Sequence, residues 1–431
     1  MKTCRFFWAI GAFLVASCGL FDDTVKVKDP ITISSPVPTQ KITKVGLNET
    51  QSGYVDAGNA MAFKFLQQLY SDENVICSPL SLQYALAMVA NGASGETLRE
   101  ITDFLGYGDS GIDSLNEYCK ILLEQLPAVD LDVTLKVVDA LLVNETCPLS
   151  PAFKEAVQNN YYAAVDNMDF KDPKYIAARV NDWAKRSTNG FVDNVVNEGE
   201  ISPDALAYIM NALYFKAAWA GGDMFSKLDT KTDKFYLSDG TTCNVDLMYT
   251  IGKYKYAEMD GFKVLALPFA DYRFYMYFLL PNGNNLDGLM DKLHDVSWRE
   301  VNEVLTNDAI VYAKIPKFTV ESKYDLSEQL QALGVVRPFI DGVAEFDRMF
   351  KADLSVYISK VIQKSKISVD ENGSEAGSVT IVEMAPTASE PSEGEKPKTV
   401  RFTANRPFVY LIGERTSGTI LFEGTFVNPK K

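Results

Sequence analysis

Hydrophobic periodicity changes once along this chain, near residue 205, and that change limits the folds open to it. Before it, apolar residues recur at helical spacing in "AGNAMAFKFLQQLY" (57–70), "PLSLQYALAMVANG" (79–92), "FKEAVQNNYY" and "ARVNDWAKRS". Pro79 suits a first helical turn and Asn91-Gly92 a stop, while "TLRE" at 97–100 has the capping-box pattern of a further helix. After it come short runs rich in aromatic and β-branched residues: "YIMNALYFKAAW", "KVLALPF", "YRFYMYFLLP" and "AIVYAKIPKFTV". These predict strands, with "LPNGNN" as a turn between two of them. A helix is predicted over 325–333, stopped by Gly334, and a long strand over 354–370. "RPFVYLIGERTSGTILFEGTFV" closes the chain as two strands around a turn. Helices first and strands afterwards predict an α+β fold rather than alternating α/β. Without an internal repeat or linker, 51–431 reads as one domain.

The N-terminus has a different character. In "MKTCRFFWAIGAFLVASCGLFDD", Lys2 and Arg5 precede an apolar run, and small residues precede Cys18. This is the pattern of a secretory signal over 1–17, too short to span a membrane. The small residues before Cys18 resemble a bacterial lipobox, which would leave Cys18 as a lipidated N-terminus. A plain signal peptide is the alternative. Residues 18–50, polar and with three prolines in "VKVKDPITISSPVPTQKITK", read as a flexible tether. The expected location is the cell envelope of a bacterium, at the outer membrane or cell surface, with lipid as the only membrane contact.

Chemistry is scarce. The one histidine, His294 in "MDKLHDVSW", would have to serve any Ser-His-Asp arrangement, and no GxSxG elbow accompanies it. HExxH, EF-hand and P-loop patterns are missing, so no metal or cofactor is expected. The formal net charge of −15 disfavours nucleic acid as a partner. Cys77, Cys119, Cys147 and Cys243 match no zinc or CxxC spacing and read as free thiols, with one bridge possible.

One stretch near the C-terminus joins two textures. In "GSEAGSVTIVEMAP" (373–386), alternate residues Ser374, Ala376, Ser378, Thr380, Val382 and Met384 form an uncharged face grading from small to large. Glu375 and Glu383 fall on the other face. Such a strand can bury one side, and its twelve residues at about 3.4 Å each would reach roughly 40 Å before Pro386 ends it. "TASEPSEGEKPK" follows at once, with a composition that buries nothing. An edge strand followed by a loop would explain this equally well from pattern alone.

Six blocks in order resemble the serpin family across roughly 53–430: "NVICSPLSLQYALAMVANGASGETLREI", "VNDWAKRSTNGFV" with "MNALYFKAAW", "IPKFTVESKYDLSEQLQALGV", "VDENGSEAG", "RFTANRPFVYLI" and "GTILFEGTFVNP". The resemblance implies three β-sheets with surrounding helices and an exposed reactive loop, here about 371–400. It implies a suicide inhibitor of endopeptidases. A protease cuts the loop, the freed part enters the main sheet as a new strand, and the acyl-linked protease is trapped in a covalent complex. Such a protein is not an enzyme and needs no catalytic groups or cofactor; a monomer is expected.

Carried over residue by residue, Glu371, Gly373, Ser374, Glu375, Ala376, Gly377 and Ser378 match the hinge, where small side chains let insertion outrun deacylation. Thr387–Ala388 matches the reactive bond, with Met384, Ala388 or a bond one residue either side as alternatives. Ser78, Ser81 and Asn211 match the shutter beneath the main sheet, and Trp219 the breach at its top. Gln363 stands where many members have the shutter histidine, and the segment between Thr387 and "RPF" is longer than the family pattern. The small and β-branched residues around the bond point to elastase-like or subtilisin-like serine proteases, or papain-like cysteine proteases. A non-inhibitory binding or structural role is the alternative, although 374–378 has none of the bulky or proline residues that would favour it.

Overall fold

A computed structural model of the chain describes residues 26–293, 295–351, 356–374 and 398–430. The first half supplies α1 (Glu49–Leu69), β1 (Val75–Cys77), α2 (Pro79–Ala90), α3 (Gly95–Phe104), α4 (Ile112–Gln125), β2 (Thr134–Asn144), α5 (Pro151–Tyr161), β3 (Ala164–Met168) and α6 (Pro173–Ser187). Strands then dominate: β4 (Ala207–Ala218), β5 (Lys231–Tyr236), β6 (Thr242–Gly252), β7 (Lys255–Met259), β8 (Phe262–Pro268) and β9 (Phe274–Pro281). Two short helices follow, α7 (Asp287–Leu293) and α8 (Trp298–Val304), then β10 (Ile310–Pro316), β11 (Phe318–Asp325) and α9 (Ser327–Ala332). The chain ends with β12 (Ile362–Asp370), β13 (Gly373–Ser374), β14 (Thr399–Thr403), β15 (Phe408–Glu414) and β16 (Ile420–Phe426).

These strands form three sheets, in the orders β11-β12-β13-β4-β2-β3, β14-β10-β6-β5 and β1-β16-β15-β9-β8-β7. The α+β expectation holds, but the helices-first reading is incomplete: β2 and β3 lie within the helical half. They join the main sheet only through distant partners, β4 above all, and "TLKVVDALLVN" is buried on both faces, so its alternation is hidden. Residues Leu135, Val137, Leu141 and Val143 enter the main core, while Val138, Ala140 and Leu142 pack under α6. Helix α2 runs beneath the main sheet, between β4 and β16.

Three local expectations are corrected. The strand predicted over 354–370 begins only at Ile362, because its partner β11 ends opposite it at Asp325, where the chain turns into α9. The capping box predicted at Thr97 is not a helix start: α3 begins at Gly95, and Glu345 from a distant loop accepts from Thr97 N–H at 3.2 Å. Finally, the described part of the expected tether, 26–48, lies on the body. Ile31 is fully buried among β2 and α6 side chains, its carbonyl accepts from Arg186 at 2.8 Å, and Ile42 N–H donates to Ala128 O at 3.0 Å. Apolar residues within a proline-rich segment found a groove that composition does not reveal. The signal segment, Cys18 and His294 lie outside the described residues. The four cysteines that are described are free, three of them buried.

Candidate functional site: the cleft between β4 and β12

The main sheet has a two-residue strand at its centre. Strand β12 ends at Asp370, turns through Glu371 and Asn372, and returns as Gly373–Ser374 between β12 and β4. Asn372 N–H donates to Asp370 Oδ1 at 2.7 Å, which fixes the turn. Gly373 has φ 141°, and a Cβ there would lie 2.1 Å from Ala217 O, so the position requires glycine. Ser374 pairs with Val369 on one side and Ala217 on the other. All three are at most 3% exposed, so the Ser374 side chain faces the core. The first two residues of the predicted strand are thus in the sheet rather than held outside it.

Glu371 is buried in the turn. Thr230 Oγ1 donates to its Oε1 at 2.8 Å, and Lys317 Nζ lies 3.0 Å from Oε2 as an ion pair without an aligned hydrogen bond. Burial pushes this carboxyl up, but Lys317, its own backbone N–H and Thr230 together leave it below the ordinary value.

Trp219, just past β4, spans the top of the sheet. Its indole N–H donates to Asp370 O at 2.8 Å and its backbone N–H to Asn372 O at 3.3 Å. The ring stacks on Phe269 at 4.7 Å and meets Phe225 edge-on.

Below Ser374, a narrow cleft opens between the strands. Leu213–Phe215 of β4 and Ser365–Ile367 of β12 form its walls, and Ile412 and Phe422 from the third sheet also line it. Among the described residues no backbone ladder joins β4 to β12 directly.

Lower still, both strands are tied to the first turn of α2. Ser78 caps that helix, accepting from Ser81 N–H at 3.2 Å and donating to Leu421 O at 2.8 Å. Gln363 of β12 clamps the Ser78 backbone twice: Oε1 accepts from its N–H at 3.0 Å, and Nε2 donates to its C=O at 2.9 Å. On the other side Ser81 Oγ donates to Asn211 Oδ1, and Asn211 Nδ2 donates to Asp139 Oδ1 at 2.8 Å. Ser78, Ser81, Asn211 and Gln363 therefore come together, as two separate latches on one helix.

Glu375, Ala376, Gly377, Ser378, Thr387 and Ala388 lie outside the described residues. Asp139, Lys317 and Thr230 were not anticipated from sequence; the only signal for Asp139 is a lone acid inside the apolar run "VVDALLV". Nothing gathered here is an activated nucleophile. A cleft walled by two strands and begun by a third can instead take up an extended segment through backbone pairing.

Comparison with known proteins agrees with this geometry. Residues 56–429 match the family model described as serpin (serine protease inhibitor). Serpin-Z2A of Triticum aestivum is 33% identical over 368 residues, covering 83% of this chain and 90% of that protein. A serpin-like protein of Thermococcus kodakarensis is 31% identical, covering 92% and 90%. Among solved structures, the thermophilic serpin tengpin in its native state superposes with a TM-score of 0.77 at 26% identity, covering 92% of this chain and 100% of that one. A cleaved serpin 42Da matches in fold with a TM-score of 0.78 at 24% identity, covering 88% and 99%.

Proposed function

The chain belongs to the serpin family of protease inhibitors and is no catalytic enzyme, and from that premise we propose that it acts as a suicide substrate of serine endopeptidases. Cleavage near Thr387–Ala388 frees the segment after Ser374 to extend β13 down the cleft. The acyl-linked protease travels with it and is held as a covalent complex.

The register of β13 carries this reading. Ser374 stands opposite Ala217 and Val369 with its side chain inward. If the same pairing continues, Ala376, Ser378, Thr380, Val382 and Met384 also face inward, the uncharged row of the sequence. Glu375 and Glu383 face solvent, where their charge costs little. Six residues beyond Ser374, the same register sets Thr380 between Asn211 and Gln363, so a hydroxyl would arrive at the two latch amides.

The residues around the bond favour elastase-like or subtilisin-like proteases, with papain-like cysteine proteases a further class. Incubation with pancreatic elastase should give an SDS-stable complex and a released C-terminal fragment beginning at or near Ala388. Cut protein without any complex, across serine and cysteine proteases, would overturn the reading.

The N-terminal signal supports export and lipidation at Cys18. Twelve residues lie between Cys18 and Ile31, the first buried one among the described residues, a reach of at most about 45 Å. A lipid there would hold the inhibitor close to the envelope surface. Radiolabelled palmitate should enter the full chain and not a Cys18→Ser variant.

A further inference from the structure

Strand β2 carries a carboxyl that the inhibitory cycle, as read above, does not use. Along its core-facing side run Leu135, Val137, Asp139, Leu141 and Val143, and Asp139 is as fully buried as its aliphatic neighbours. It stands opposite Asn211 in the β2–β4 register. Its Oδ1 accepts from Asn211 Nδ2 at 2.8 Å, and the oxygen of the same Asn211 amide accepts from Ser81 of α2. Asp139 Oδ2 has no hydrogen-bond partner. The ionisable groups near enough to feel its charge are Tyr84 of α2, Cys119 of α4 and Tyr161 of α5, all pushed up by burial and all neutral. Among the described residues no Lys or Arg forms an ion pair with Asp139, and β4 offers it only the Asn211 amide.

We propose that Asp139 is a positioning residue for sheet opening: uncharged, it fixes the Asn211 amide on Ser81, and ionised, it loosens β2 and β4 from α2. The proposal rests on the inhibitor reading for its consequence. Both β4 and β12 are hydrogen-bonded to α2, so admitting a strand between them must move one of them relative to that helix. A buried carboxylate with one neutral donor and no cation is costly, and any movement that admits water relieves it. A neutral carboxyl keeps the bond from Asn211 and leaves only a hydroxyl without an acceptor, the smaller penalty.

Burial raises Asp139 to about 7, against the opposing pull of the Asn211 hydrogen bond. The closed fold therefore binds a proton that the unfolded chain has released between the ordinary value of 3.8 and about 7. Its stability is highest at the acidic end of that window, falls as pH rises through it, and levels off above 7. Between pH 6 and 8 this one group should raise the unfolding equilibrium constant about tenfold. The background is quiet, since the chain has one histidine, His294. Glu423, buried against Cys77, and Asp130 are also raised by burial and are the carboxyls to control for.

The test uses the intact chain and its Asp139→Asn, His294→Gln, Glu423→Gln and Asp130→Asn variants. Urea unfolding and amide exchange of β4, corrected for intrinsic exchange, are followed from pH 5.5 to 8.5. The parent protein, H294Q, E423Q and D130N should share the tenfold change and the faster β4 exchange, while D139N should be flat in both. A D139N profile that slopes like the parent overturns the proposal, as does a parent without a slope. Should D139N fail to fold, the controls decide: a slope lost in H294Q, E423Q or D130N removes Asp139 from the explanation, and one kept in all three supports it. Stoichiometry of elastase inhibition at pH 6 and 8 is scored separately. No complex at either pH, beside a β4 profile abolished in D139N, would count against the inhibitor reading and leave Asp139 as the group that sets the hold on Asn211.

Discussion

The top of the main sheet and its middle are held in different ways. At the top, bonds cross from the β4 side to the β12 side: Trp219 donates from indole and backbone to Asp370 and Asn372, and Gly373–Ser374 pairs with both strands. In the middle, each strand is bound to α2 instead, β12 through Gln363 and Ser78, β4 through Asn211 and Ser81. The cleft lies between these two regions. The contrast implies that the strand starts where the sheet is already joined, and that the rate of its progress is decided where the strands are held from below.

Substitutions can break that contrast. The largest effect is expected from Ser374→Arg. A guanidinium would replace a side chain 3% exposed between Val369 and Ala217, and an uncompensated buried charge costs about 3–5 kcal/mol. Inhibition should turn into plain cleavage, with the stoichiometry of inhibition rising at least tenfold; an unchanged stoichiometry would mean that Ser374 stays out of the inserted strand. Trp219→Ala follows, at about 3 kcal/mol in urea unfolding, from lost ring packing and from Asp370 O left without its indole donor. Gln363→Leu should cost about 2 kcal/mol, since it strands the N–H of the buried Ser78 and leaves its carbonyl only the bond from Leu82 N–H. It should also speed loop insertion, measured as the gain of heat stability after cleavage, whereas Trp219→Ala should not. If the two variants behave alike, the top and the middle are not separate devices.

The sequence made parts of this legible and hid others for physical reasons. β4, β8, β9, β15 and β16 could be read because their runs are aromatic or β-branched and closed by turn residues. β2 could not, because burial on both faces erases the period of two that marks a strand. The hinge was readable in outline: "VDENGSEAG" carries the family resemblance, and the alternation of 374–384 marks an inward face. That Gly373 and Ser374 already occupy the sheet depends on a 2.1 Å clearance from Ala217 O, which no local pattern encodes. Among the latch residues, Ser78, Ser81, Asn211 and Gln363 came from the family match, while Asp139 went unnoticed. Its role exists only through the register that sets β2 against β4, a pairing between residues 72 apart.

The smallest prediction sharpens the contrast most, because the carboxyls of the two regions titrate with opposite sign. Glu371 at the top sits below its ordinary value of 4.5, so its contribution is present above that value and is lost as pH falls through its lowered one. Its ion pair with the partly exposed Lys317 is worth about 1 kcal/mol. Asp139 in the middle works the other way, and its share of the stability grows as pH falls from about 7. On acidification the middle should tighten first and the top loosen afterwards, below about pH 4.5. Glu371→Gln should remove the acid-side loss while leaving the slope around pH 7 intact, and Asp139→Asn should do the reverse. Urea midpoints of the two variants across pH 3.5 to 8.5 separate these outcomes. A Glu371→Gln profile flattened near pH 7 would show the two regions to be one coupled unit.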